Sequence, residues 1–228
     1  DHQPWWKDYR LLGDYLGRLS YALSQGKYQA DVLVLHPSSS TWTTYAPFEN
    51  DTKLQDIGSS VKTLVKSLNQ LQIMFDLGDD IIITNHGKAH KGVLSVGQIN
   101  YSVVILPSME LLRGRVFELL KKFSGQGGVI ITTGQTPTLL DGLLSQELAE
   151  FFQRSNIIKV PNEKTALSAI LDSMPLERVR LKELDQKDLS NVYAHIRRQD
   201  DTKIVFLCNL GMEDKVSLHL FIEQPCII

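Results

Sequence analysis

The run YSVVILPSMELLRGRVFELLKKFSGQGGVIITTG, residues 101–134, decides the fold. Val103 to Leu106 is all apolar and closes on Pro107, which suits a strand buried on both faces. Ser108 stands where a helix cap belongs, with Glu110 in the first turn, where the helix dipole favours an acid. Leu112, Val116, Leu119, Leu120 and Phe123 recur at three- and four-residue spacing and form one apolar stripe. Lys121 and Lys122 occupy the last turn, Gly125 stops the helix, and Gly127-Gly128 leads into a second strand, Val129 to Thr132. Strand, helix and strand in this order make a right-handed βαβ unit with parallel strands.

The same grammar extends in both directions. Pro4, Trp5 and Trp6 open a first helix whose stripe is Tyr9, Leu12, Leu16, Leu19 and Leu23, ending at Gly26. Asp31 to His36 is a buried strand closed by Pro37, followed by the loop HPSSSTWTTYAPFEN. A helix is expected over 57–71, a short strand over 73–75, a turn at 76–80 and an edge strand at 93–96. Beyond the central unit, a helix over 139–152, a strand over 157–160 and a helix capped by Asn162 are expected. Past Pro175 the pattern changes. Residues 192–199, 203–209 and 216–222 read as three strands joined by short turns, an antiparallel β meander. The fold class is therefore α/β: a flavodoxin-like or class I glutamine amidotransferase-like sheet of parallel strands with flanking helices, then antiparallel strands. The expected segments are 1–28, a linker helix; 29–178, the α/β domain; and 179–228, the start of a further β domain.

Bulk properties narrow the function. The 228 residues carry a net charge of -2, with no global pull toward nucleic acid or an anionic membrane. No apolar run reaches the roughly 20 residues of a membrane span. The only cysteines, Cys208 and Cys226, provide neither a disulfide framework nor a zinc cluster. The absence of an initiator Met and the strand-like run just before Gln224-Pro225 suggest a fragment of a longer protein.

Tests for catalysis come out empty. There is no Gly-Lys-Ser/Thr phosphate loop, and Gly125-Gln126-Gly127-Gly128 precedes a strand, so it cannot seat a pyrophosphate at a helix N-terminus. No cofactor is expected. Asp76, Asp79 and Asp80 lack the Gly and distal Glu of a calcium loop, so capping and solvation explain them better than a metal. His86 and His90 have i,i+4 spacing but enclose Gly87, which argues against a metal pair. In a class I amidotransferase a cysteine occupies the elbow after a parallel strand. Here that place is Thr132-Thr133-Gly134-Gln135, and a thioester mechanism is excluded by composition.

PWWKDYRLLGDYLGRLSYALSQGKYQADVLVLHP, residues 4–37, resembles the segment after the catalytic barrel in large bacterial glycoside hydrolases of the α-L-rhamnosidase-like type. A similar organisation occurs in β-galactosidases with an amidotransferase-like domain after the barrel, and the Asp76 turn, YSVVILP and GQGGVIITTG also resemble that domain. VYAHIRRQDDTKIVFLCNLGMEDKVSLHLF, residues 192–221, resembles the hairpin that opens the next β-sandwich. The resemblance covers nearly the whole chain. It implies hydrolysis by two carboxylates on an upstream barrel, none of which maps onto this sequence. It also implies a periplasmic or extracellular location and a rim role for His2, Trp5 and Trp6, although Gln3 stands where the family usually has Asn.

Three functional readings follow. The first is a non-catalytic structural domain of a multidomain glycoside hydrolase, with the other domains of that enzyme, or further copies in a homo-oligomer, as partners. The second is a carbohydrate-binding module with Trp42, Tyr45 and Phe48 as a stacking platform, Trp5 and Trp6 being further sugar-contacting candidates. The third is an autonomous amidotransferase-superfamily enzyme with Thr133 as nucleophile, a poor choice because a β-branched residue resists a strained elbow.

Overall fold

The computed structural model describes residues 3–46, 51–183, 191–211 and 218–221. Five parallel strands form the centre: β1 (Val32–Leu35), β2 (Phe75–Gly78), β3 (Val103–Leu106), β4 (Val129–Thr132) and β5 (Ile157–Lys159). Their spatial order is β5-β4-β3-β1-β2, the flavodoxin-like 2-1-3-4-5 arrangement. The all-apolar runs read from sequence are the central strands, because each is buried on both sides. Leu33, Leu35, Val104, Leu106 and Ile130 enter one hydrophobic cluster, and Val32, Val34, Val103, Ile105 and Ile131 enter the other. That alternation is the two-residue period of a pleated strand.

The helices are α1 (Tyr9–Ser24), α2 (Ser38–Thr44), α3 (Thr52–Gln70), α4 (Asp80–His86), α5 (Gly114–Gly125), α6 (Gln146–Phe151) and α7 (Lys164–Leu171). The first cluster takes Val116, Phe117, Leu120 and Phe123 from α5, with Leu148 and Phe151 from α6. The second takes Leu64 and Leu68 from α3, with Leu167 and Leu171 from α7. Helix α1 differs from the rest: it buries no residue, and its expected stripe leaves Tyr9, Leu12 and Leu16 exposed. No helix among the described residues is long and apolar enough to cross a membrane.

Several boundaries differ from the sequence reading, each for a local reason. The loop after β1 folds into α2, whose first-turn serines are buried. Strand β2 starts two residues later than the apolar run suggests: Ile73 and Met74 are buried, but Ile73 bridges Arg178 instead of joining the central sheet. Ser108 does not cap α5. Its hydroxyl accepts from Gln135 N–H at 3.2 Å, and Glu110 pairs with Lys53 at 2.9 Å. The chain first makes a short strand, Leu111–Leu112, beside Leu139–Leu140, so the helix begins at Gly114. The expected helix over 139–152 is instead a hairpin followed by α6. Asp141 and Gly142 adopt φ of 48° and 88°, the left-handed pair of a tight two-residue turn, and Ser145 caps α6 through Leu148 N–H. Asn162 does not cap α7; its amide reaches back to Ser60 O at 2.9 Å.

The expected edge strand at 93–96 is the middle of a three-stranded antiparallel sheet, Gly87–His90, Val93–Val96 and Ile99–Tyr101. Val192–Gln199 and Thr202–Asn209 form the expected hairpin, and among the described residues Leu218–Phe221 pairs with Arg180–Glu183. The hairpin also meets the beginning of the chain. Lys27–Tyr28 pairs with Arg197 and Arg198 across the ladder, Tyr28 stacks on His195 with centroids 5.0 Å apart, and Arg197 donates to Gln25 O and Gly26 O. Val192 and Ile196 lie in the same buried cluster as Leu33 and Val104. Within this seam burial, and then the Asp76 carboxylate, push the Tyr28 hydroxyl up to about 12. Burial, and then the Arg197 guanidinium, push the His195 imidazole down.

Candidate functional site

In an open sheet of this order, ligands bind beyond the carboxyl ends of the strands, at the switch point between β1 and β3. Helix α2 fills that position. Its Ser40 is fully buried, accepts from the N–H groups of Glu110 at 3.2 Å and Leu111 at 3.0 Å, and donates to Leu111 O at 3.2 Å. Ser38 donates to Asp79 at 3.0 Å and lies 2.8 Å from the His36 ring. Burial alone would raise the Asp79 carboxyl, but hydrogen bonds from Ile82 N–H, the Ser38 hydroxyl and Ile81 N–H outweigh it and hold it below the usual range. Ser39 meets Arg113 Nε at 3.2 Å, and the same nitrogen lies 3.3 Å from the buried Asp80. Three consecutive serines thus fasten one short helix to two neighbouring connections, the one after β2 and the one after β3.

This fastening makes Ser40 a sensitive position. Ser40→Ala removes the acceptor for two N–H groups, one buried and one part-buried, and is expected to lower stability by about 2 kcal/mol. A shifted urea midpoint with an unchanged slope is the signature to look for.

The fixed helix displays Trp42 to solvent, 65% exposed. Below it lies a shallow depression of about 300 Å³ lined by Ser39, Trp42, Thr43, Arg113 and Asp141, among others. Asp141 is held by Gly114 N–H at 3.0 Å. A β-carbon on Gly114 would fall 2.6 Å from Asp141 Oδ2, so a side chain there would displace this carboxylate. Tyr45 is also exposed but does not line the depression, and Phe48 lies outside the described residues. Trp5 and Trp6 are far along the chain in the turn before α1. Both are exposed, and Trp6 stacks on Tyr9 at 5.7 Å. His2 lies outside the described residues.

The remaining candidates have ordinary duties. Thr133 is buried and its hydroxyl donates to Leu106 O at 3.4 Å; its φ is not positive, so no strained elbow presents it. The three aspartates do separate work: Asp76 accepts from the Tyr101 hydroxyl at 2.8 Å, Asp79 caps α4, and Asp80 faces Arg113. His86 ends α4 and His90 lies in a hairpin strand, both exposed. Among the described residues no cluster of three metal-binding side chains occurs. A larger depression, about 460 Å³, sits at the opposite end of the sheet beside Lys27, Asp31, Asn100 and Arg197. Its principal cation, Arg197, is already engaged by the Gln25 and Gly26 carbonyls.

Sequence reasoning found Trp42 but missed Arg113 and Asp141. The Asp-Gly pair at 141–142 was the available signal, since that dipeptide favours a two-residue hairpin and would have placed Asp141 on a turn.

The fold is a flavodoxin-like α/β sheet with a depression bearing one exposed tryptophan beyond the carboxyl ends of its strands. No family model matches the chain. It is 23% identical over 233 residues to a protein of Formosa agariphila named "Putative beta-glucuronidase", an alignment that takes in 97% of this chain and 18% of that protein. The chain therefore spans under a fifth of the length of the curated relative it matches. Its fold is also similar to part of the exo-carrageenase GH42 from Bacteroides ovatus, with a TM-score of 0.55, 13% identity, and coverage of 86% of this chain and 25% of that one. Both names denote glycoside hydrolases.

Proposed function

We propose that this chain is a non-catalytic structural domain of a larger glycoside hydrolase, of the amidotransferase-like type found after a catalytic barrel. The observation that carries the reading is the alignment of nearly all of this chain with under a fifth of a named glycosidase. Two features of the molecule support it. Asp79 caps a helix, Glu110 pairs with Lys53 and Asp80 faces Arg113, structural duties for three carboxylates at the carboxyl edge of the sheet. Helix α1 offers Leu12, Leu16, Tyr9 and Tyr15 to solvent, an apolar face that suits packing against a preceding domain.

In this reading residues 1–28 form the linker helix from the barrel, residues 29–178 the α/β domain, and residues 179–228 the start of the following β domain. The partners are the other domains of the same enzyme. Location outside the cytoplasm accompanies the reading as part of the family likeness.

The purified 228-residue chain is expected to show no turnover of aryl rhamnosides, galactosides or glucuronides. Reproducible hydrolysis that disappears on deleting residues 1–30 would overturn the proposal.

A further inference from the structure

We infer that the depression under Trp42 is a binding subsite for a neutral pyranose unit of a glycan, with Trp42 as the stacking face and Arg113 and Asp141 as its hydrogen-bonding groups. The inference deepens the reading above and rests on it for the choice of a glycan as ligand.

Three observations carry it. Trp42 belongs to a helix whose preceding residues, Ser38 to Ser40, are buried and bonded, yet its own indole is 65% exposed over an open depression. An aromatic face displayed on a rigid base can stack against a ring without first losing freedom of its own. Arg113 is oriented through Nε alone, by Ser39 and Asp80, and neither terminal guanidinium nitrogen has a hydrogen-bond partner among the described residues. Those nitrogens are donors already fixed in direction. Asp141 is likewise fixed through Oδ1 by Gly114 N–H, which leaves Oδ2 as an acceptor at the rim. A flat apolar face with a pre-aimed donor and a pre-aimed acceptor beside it matches a sugar ring, apolar on one face and hydroxylated around its edge.

The charges select among sugars. One guanidinium, Arg113, is paired with the Asp80 carboxylate, and a second carboxylate, Asp141, lines the same depression, so the local balance is not positive. A uronate or sulfated sugar would meet Asp141 without a surplus cation to offset it. A neutral hexose meets no such cost.

The test uses the three indole N–H signals of the 228-residue chain, the Trp42 signal being assigned by its loss in Trp42→Phe. Lactose and methyl α-L-rhamnoside are titrated in parallel with glucuronic acid. The Trp42 signal is expected to move with at least one neutral sugar while the Trp5 and Trp6 signals stay still. Asp141→Asn is expected to weaken that affinity about tenfold, and Trp42→Ala to abolish saturation transfer to the sugar, as expected when a central aromatic anchor is removed. A static Trp42 signal with both neutral sugars, a response only to glucuronic acid, or affinity unchanged in Asp141→Asn and Trp42→Ala would each overturn the inference. Absence of hydrolysis is read in a different assay, so a flat titration and an unexpected turnover fail different proposals.

Discussion

Phe151→Ala is expected to reduce the unfolding free energy by about 3–5 kcal/mol, the usual cost of emptying a large buried aromatic site. Phe151 is completely buried. Its ring meets Phe117 edge-on at 5.3 Å and Phe152 edge-on at 5.1 Å, so it is the middle member of a chain of three rings joining α5 to α6. Helix α6 spans only six residues and is too short to hold itself together without that anchor. Typical domain stability is about 5–15 kcal/mol, so this one change removes a large share of it and should lower the melting temperature by roughly 10 °C. Leu144→Ala is the matched control: Leu144 lies two residues before the same helix and is 84% exposed, and its loss should stay within about 0.5 kcal/mol. Equal effects from the two substitutions, in calorimetry or urea titration, would mean that α6 is not docked as described.

The second large effect is at the far side of the sheet. Arg178 has a side chain only 5% accessible, and its Nη1 lies 2.6 Å from Asp172 Oδ1. Asp172→Ala should cost about 3 kcal/mol, because it strands a buried cation. Arg178→Leu should cost less, since it removes the buried charge and leaves Asp172 to water, Ser168 and Arg180. Asp172 is itself 38% exposed, so its own solvation limits what the pair contributes, and the loss comes mainly from the arginine.

Acid should act in the same direction as the mutation. Burial alone would raise the Asp172 carboxyl, but the Ser168 hydroxyl, Arg178 and Arg180 outweigh it and hold it below the ordinary carboxylate range. The folded state therefore takes up this proton less readily than the unfolded chain does. The resulting stabilisation is complete above the unfolded carboxylate pKa and is lost as pH falls through the lower folded value. The stability gap between the parent chain and Asp172→Ala should accordingly narrow on acidification. A gap that is constant with pH, or an Arg178→Leu variant weaker than Asp172→Ala, would contradict this account.

How much of this was legible in the sequence depends on the range of the forces involved. Strands β1, β3 and β4 are short, largely apolar runs bounded by proline or glycine signals, and burial on both faces writes itself directly into composition. The hairpin at 192–209 is readable for a similar local reason. Ser108 and Asn162 were misread as caps because both carry cap chemistry but use it on Gln135 and Ser60, partners 27 and 102 residues away. No local rule ranks a distant acceptor above a near one. The site divides the same way. Trp42 is conspicuous as an aromatic in a polar loop, whereas Arg113 and Asp141 become neighbours only when the Leu111–Leu112 and Leu139–Leu140 strands pair.

The ladder between Lys27–Tyr28 and Val192–Gln199 also sets a timetable for the nascent chain. The bond from Arg197 to Gly26 O spans 171 residues, so at ordinary translation speeds the early strand waits roughly 10–30 s on the ribosome for its mate. During that interval β1 to β5 can already assemble, since each needs only residues made before position 160. The seam is therefore a finishing stitch. A stalled or truncated synthesis product should hold the sheet yet leave Tyr28 without the strand and the His195 ring that cover it.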